Sequence, residues 1–526
     1  MSALRGSSNA YSGTSTTPLR GSASHDAQIN AKSQPEPEVL VYEEVAPSPY
    51  DDPYNSGSVS EDVGLALRTL RKDFIPTIFF NGPGRAVADR KAQYPVPDRP
   101  SLRHSLLHVA NVYDGLRGSE ASVGDTVALA LRGSYSTRAQ IQRAEADRAR
   151  VDGALASFLP KISGTVTAGY ASGATSGDFS YDLGQVGVGF ELSMPIFSSG
   201  VNLNTYKQAK HLSLASDLNL LAEEYRVSLE AIASHINLRL NRRVENTLQS
   251  NVSAMKRIAH IAERLYEAGD ASRTDIAIAQ ANVESARSEV DLAQKIREET
   301  LTDYESLTDT QAPGKLLAPA YAKFVPEDVE VAVAMAINNN PALVSSLHTA
   351  IASGFAAKAE RGRFGPKVDL YSSYNEPVYQ ASNSESFANW NFGVRLRVPL
   401  LDASLVPSVN EARHEALEAQ FRALDQSRIV ERQVRRQWSA YKSAQRRVGI
   451  VARQVRAVAT PVDGARREYE AGFRSISDVL NNQVKLARAR ITLETAKHEQ
   501  MLAAYELAFT TGHPRIRHLA KGRGDH

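Results

Sequence analysis

The chain has 526 residues, no cysteine, and 61 Lys and Arg against 59 Asp and Glu, for a formal net charge of +2. That balance excludes a polyanion binder driven by bulk charge, so nucleic acid is not expected as a partner. The missing cysteine excludes disulfides, a thiolate nucleophile, cysteine metal sites and an acylated lipoprotein-type N-terminus.

Residues 1–60 are rich in Ser, Gly, Thr, Asn and Pro and read as a disordered leader. No apolar secretion core stands there, so the reading expects the export signal to be missing from this version of the chain. Residues 61–118 form an extension of uncertain structure, whose apolar stretch Phe74–Phe80 is broken by Pro76. No apolar run anywhere reaches the ~18 to 20 residues of a spanning helix, so a chain that crosses a bilayer does so as a barrel.

The unit 119–313 reads helix, strand, strand, helix, turn, helix. In its strand Gln185–Met194, the apolar Val186, Val188, Phe190, Leu192 and Met194 alternate with Gly187, Gly189, Glu191 and Ser193. Period two gives one apolar and one polar face. A partner strand is expected near Ile162–Tyr170. Val201–Ala268 contains neither Gly nor Pro, and apolar residues at alternating steps of three and four make it one long coiled-coil helix. Asp270–Ala312 is its return helix.

After a linker at 314–326 the plan repeats over 327–512. Tyr266-Glu267-Ala268-Gly269 recurs as Tyr469-Glu470-Ala471-Gly472, at an offset of 203 (469 − 266). Phe158–Ile162 recurs as Phe364–Val368, and Gly189–Ile196 as Gly393–Leu400, in the same order. The protein is a tandem duplication of one large unit. In the second copy Trp390, Phe392, Val394, Leu396 and Val398 alternate with Arg395 and Arg397, and Val368–Tyr374 is the partner strand. Ser408–Thr460 and Phe473–Thr511 are the helices, with Pro461 expected to kink or break the first. Residues 513–526 form a basic tail.

Aromatics gather near the strand ends (Tyr170, Phe179, Tyr181, Tyr374, Phe387, Trp390), as in the girdles of membrane barrels. Glu191, Arg395 and Arg397 then face a lumen. Four strands per chain cannot close a barrel, and open edges are not tolerated in lipid. A soluble sandwich could show the same alternation, but if these strands cross a membrane, two or more chains must share one barrel.

This architecture, with Tyr-x-x-Gly-x-x-Ser-x-x-Asp at both hairpins, resembles the TolC-type outer-membrane efflux proteins over roughly residues 120–512. The resemblance implies an α+β, mainly α fold. It further implies a homotrimer in which four strands per chain form a shared 12-stranded barrel in the outer-membrane lipid. A 12-helix tunnel would extend from it through the periplasm. It implies a passive duct docked by a periplasmic adaptor (membrane fusion) protein and an inner-membrane transporter of ABC or RND type.

Carried over residue by residue, Tyr469 and Arg474 of the second hairpin would bond to Thr274 and Asp275 of the first, closing the periplasmic entrance. Asp478 would form an acidic ring favouring cations. Some family members carry a second acid one turn further in; Asn481 stands here, which predicts weaker cation preference. Gly269, Ser272, Gly472 and Ser475 lie where the adaptor would dock. The same Ser and Asp residues are also good helix caps, which alone would explain their presence.

No catalytic constellation, cofactor motif or metal set emerges. His104 and His108 lack a third ligand, Gly82-Pro83-Gly84-Arg85 lacks the ending of a phosphate loop, and Arg523-Gly524-Asp525 is a common tripeptide. The missing acylatable cysteine tilts the duct reading toward protein-exporting systems rather than the lipoprotein branch of drug pumps. The competing reading, a soluble coiled-coil scaffold, leaves the paired amphipathic strands unexplained.

Overall fold

The computed structural model describes residues 120–175, 179–322, 325–379 and 388–513. The expectations for 1–60, 61–118, Phe387 and the tail beyond His513 fall outside these residues.

The first half begins with a short strand, β1 (Glu120–Ala121), and two helices, α1 (Val123–Gly133) and α2 (Tyr135–Ala156). Where one helix was expected there are two. Ser134 adopts an extended backbone and caps the second helix by accepting the Thr137 N–H, which is the usual way a hydroxyl restarts a helix. The second half does the same at Asn340, between α5 (Val329–Asn339) and α6 (Pro341–Gly362), with Asn340 accepting from Leu343 N–H. Both breaks occupy equivalent positions in the duplicated plan.

Strands β2 (Lys161–Thr175), β3 (Phe179–Phe197), β5 (Lys367–Tyr379) and β6 (Asn389–Arg397) form one antiparallel sheet in the order β2-β3-β5-β6. A two-residue strand, β4 (Lys315–Leu316), pairs with β1 in a separate parallel ribbon. Three of the sheet strands are longer than the alternation alone suggests. β5 continues through Pro377, which lies opposite Gly187 of β3 and beyond the end of the β6 pairing at Asn375. β2 and β6 are free edges.

The register sorts the side chains. Gly164, Phe190, Tyr374 and Trp390 lie in one row across the sheet, and Ile162, Leu192, Ser372 and Phe392 in the next. This face is exposed: Val166 is 76%, Trp390 70% and Phe392 71% accessible. Apolar residues on it line a shallow groove of about 380 Å³ between Ile162, Phe190 and Trp390.

The rest is helical. α3 (Val201–Ala268) is one unbroken helix of 68 residues, on the order of 100 Å long. It returns through α4 (Arg273–Thr308). The corresponding pair in the second half is α7 (Leu405–Glu470) and α8 (Ile476–Thr510). α7 continues through Pro461 without the break that was one of the two expected outcomes. Beyond the proline, Ala465 and Tyr469 are buried against Ile476, Val479 and Leu480, and that burial offsets the lost backbone bond.

α3 is packed by α1, α2, α4, α6 and α8. It buries Leu221, Tyr225, Ile232 and Ile236 against Val127, Leu131, Tyr505 and Phe509. A polar network sits inside this core. Thr126 Oγ1 lies 2.8 Å from His235 Nδ1 and 3.0 Å from the Tyr304 hydroxyl, and His235 Nε2 lies 3.0 Å from the Leu317 carbonyl. Burial lowers the His235 pKa to about 4, against the pull of that carbonyl.

The turn from β3 into α3 uses two left-handed residues, Ser199 (φ 50°) and Gly200 (φ 80°). It is lodged against the end of α6. Ser199 Oγ donates to the Pro366 carbonyl at 2.6 Å, and a Cβ on Gly362 would meet the Ser199 carbonyl oxygen at 2.7 Å. Only glycine fits there.

Candidate functional site

The two helical hairpins end side by side, and their tips are built alike. α3 ends in a Schellman turn at Gly269 (φ 88°), with Gly269 N–H donating to Tyr266 O and Asp270 N–H to Leu265 O. α7 ends at Gly472 (φ 79°), with Gly472 N–H donating to Tyr469 O and Phe473 N–H to Glu468 O. Neither glycine has a heavy atom within 4 Å of an added Cβ, so their requirement is conformational rather than steric.

Each return helix is capped by the serine three residues after the turn glycine. Ser272 Oγ accepts from Asp275 N–H at 3.1 Å while the Asp275 carboxylate accepts from Ser272 N–H at 3.0 Å, a complete capping box. Ser475 Oγ accepts from Asp478 N–H at 3.2 Å and donates to the Asp478 carboxylate at 2.9 Å. The capping role anticipated for Ser272, Asp275, Ser475 and Asp478 is thus realised. Thr274, Asp478 and Asn481 are exposed.

The expected gate constellation is only half assembled inside one chain. Tyr469 lies between the hairpins, 7% exposed, packed with Met255, Ile258, Ala279 and Val479. Its hydroxyl makes no hydrogen bond, and burial together with the nearby Asp275 carboxylate raises its pKa. Tyr469 and Asp275 are therefore brought together. Arg474 is not with them: its Nε pairs with Glu468 of its own hairpin at 2.7 Å. Glu468 escaped the sequence reading because a six-residue spacing across a turn carries no helical signature.

A further buried link joins the hairpins above the tip, where Gln483 Nε2 donates to Asn251 Oδ1 at 3.2 Å. One more pair was not anticipated. His211 of α3 and His348 of α6 face each other with Nδ1 atoms 3.1 Å apart, both buried. Burial, then His348, Lys210 and Lys207, lower the His211 pKa to about 4. Among the described residues no third His, Asp or Glu joins them in a metal set.

In the sheet, Glu191, Arg395 and Arg397 share the face opposite the apolar one. Glu191 is in a row with Ser163, Ser373 and Asn391, Arg395 opposes Asp369, and Arg397 opposes Lys367. The Arg395 guanidinium stacks 4.4 Å over the Tyr371 ring, and that ring covers Gly393, where a Cβ would meet it at 3.1 Å.

The profile of the family described as Outer membrane efflux protein matches residues 127–307 and again 332–513, one match per half. The chain belongs to the outer membrane efflux protein family. The family likeness extends to curated relatives. Outer membrane efflux protein BepC of Brucella suis is 23% identical over 399 residues, covering 75% of this chain and 86% of BepC. Alkaline protease secretion protein AprF of Pseudomonas aeruginosa is 23% identical over 399 residues, covering 73% of this chain and 83% of AprF. Among solved structures, CusC superposes with a TM-score of 0.67 at 17% identity, covering 80% of this chain and 98% of CusC. As a member of this family the protein is an outer-membrane efflux channel whose helices reach into the periplasm. None of its described helices is long and apolar enough to cross a membrane, and the sheet is the element suited to do so.

Proposed function

We propose that three copies of this chain form one passive duct, with a shared β-barrel in the outer membrane and a helical tunnel below it. The observation that carries this reading is the sheet: an apolar face open to its surroundings, a charged face behind it, and two unpaired edges. Unpaired edges are not tolerated in lipid, so β6 of one copy pairs with β2 of the next until the ring closes. The units 119–313 and 327–512 each supply two strands and one hairpin.

α7 supports the same reading lower down. Val406, Phe421 and Ile450 are exposed on it, an apolar stripe that the neighbouring copy covers. At the tips, Tyr469, Arg474, Thr274 and Asp275 close the entrance when hairpins of adjacent copies meet, with Arg474 exchanging Glu468 for the neighbour's acceptors. Asp478 lines the mouth, and Asn481 replaces a second acid above it. Gly269, Ser272, Gly472 and Ser475 present the surface that a periplasmic adaptor grips, itself attached to an inner-membrane pump. The resemblance to AprF, named for alkaline protease secretion, favours a type I secretion role; the resemblance to BepC, named for efflux, favours a small-molecule one.

The test is to extract the protein from the outer membrane in detergent, measure its mass by light scattering and reconstitute it in planar bilayers. A trimer with discrete conductance steps is expected. A monomer that stays soluble without detergent and conducts nothing overturns the reading.

A further inference from the structure

We infer that the base of the barrel carries an anion-attracting collar, opposite in sign to the acidic mouth at the hairpin tips. The inference rests on the trimeric-duct reading, which turns the polar face of the sheet toward the lumen. On that face Arg397 opposes Lys367 and, one pleat further on, Arg395 opposes Asp369. Lys161 opens β2 in the row of Ser193, Tyr371 and Gly393. All four cations sit where the strands join the helices. The carboxylates on the same face are fewer and weaker opponents. Asp369 is buried and turned to Lys367 at 3.3 Å, and Glu191 lies further along the strands, beyond the Lys161 row.

The geometry concentrates this charge. Arg395 and Arg397 lie on the edge strand β6, and Lys161 begins the opposite edge, β2. When copies join edge to edge, the cations of one meet that of the next at each of three seams. The Tyr371 ring under Arg395 holds the guanidinium on the lumen wall and shields one of its faces from water. Low-dielectric walls around a pore strengthen such a field, because field lines focus into the water between them. The collar is approached from outside without passing the tip. It therefore acts on anions whatever the state of the gate.

Sodium tripolyphosphate, added only to the extracellular chamber of a planar bilayer holding the full-length trimer, is the probe. The unmodified channel should be blocked, and the block should weaken as background KCl rises from about 0.1 to about 1 M because the collar is screened. Arg395→Gln combined with Arg397→Gln should raise the half-blocking concentration at least about fivefold, whereas Glu191→Gln should lower it. Absence of block in the unmodified channel overturns the collar, as does a half-blocking concentration unchanged in the double variant at unaltered conductance. Should the double variant fail to assemble, Glu191→Gln and the salt series decide on their own. Failure of the unmodified protein to form any pore would instead overturn the duct itself.

Discussion

The two halves share a plan and differ in how much of it each completes by itself. α3 is enclosed by five helices and buries residues along much of its length, including the Thr126–His235–Tyr304 network. α7, almost as long, packs mainly on α5, α6 and α8 and leaves Val406, Phe421 and Ile450 exposed. Duplication copied the elements, and divergence then assigned them different neighbours. Within one protomer α3 is the more enclosed of the two long helices and α7 the more open.

The sharpest way to break that comparison is to damage each half in its core and on its open side. Leu238→Ala removes a fully buried side chain packed on Tyr304 and Leu316, and should cost about 3 kcal/mol in thermal unfolding. Phe421→Ala should leave protomer unfolding nearly unchanged and instead lower the trimer fraction measured by light scattering.

Acid should act through the first half as well. Folded His211 and His235 titrate at about 4, below their ordinary 6.5, so the unfolded chain binds more protons between those values. Stability is full above about pH 6.5 and declines as pH falls toward 4, on the order of 3 kcal/mol for each histidine. Unfolding midpoints measured across that range check this, and a flat profile would contradict the burial of both rings. His235→Gln should remove its share of the slope.

The turns test where the halves remain equivalent. Gly269→Ala and Gly472→Ala meet no steric obstacle, so each should cost about 1 kcal/mol for placing a side chain in a left-handed backbone. Hydrogen exchange near each tip would measure it, and unequal costs would show that one tip is held by something further. Smallest in stability is Arg474→Ser. It breaks a half-exposed ion pair with Glu468, worth under about 1 kcal/mol. The same change should raise single-channel conductance if Arg474 bonds across copies in the closed entrance.

Much of this was legible in the sequence because it is periodic. The Gly- and Pro-free run Val201–Ala268 is the helix α3 residue for residue, and the alternation around Phe190 and Phe392 is the two-faced sheet. What stayed hidden depends on a single residue or on distant ones. One serine and one asparagine split the first helices of the halves, a signal no stronger than any surface Ser or Asn. Pro461 reads as a breaker, yet the packing of Ala465 and Tyr469 beyond it offsets its missing N–H. The His211–His348 contact joins residues 137 positions apart, and no local pattern marks it. At the tips the residue types were readable, but their hydrogen bonds within one chain went to caps and to Glu468.

The fit of Ser199 against Gly362 has a mechanical meaning. With no room for even a methyl group at that joint, the two halves are fixed at one angle where membrane and tunnel meet. In the duct proposed above, the α3 hairpin would act below this joint as a lever arm pivoted at its upper end. Bending a rod on the order of 100 Å long by about 5° swings its tip by roughly 9 Å, so an opening wide enough for cargo needs no repacking near the bilayer.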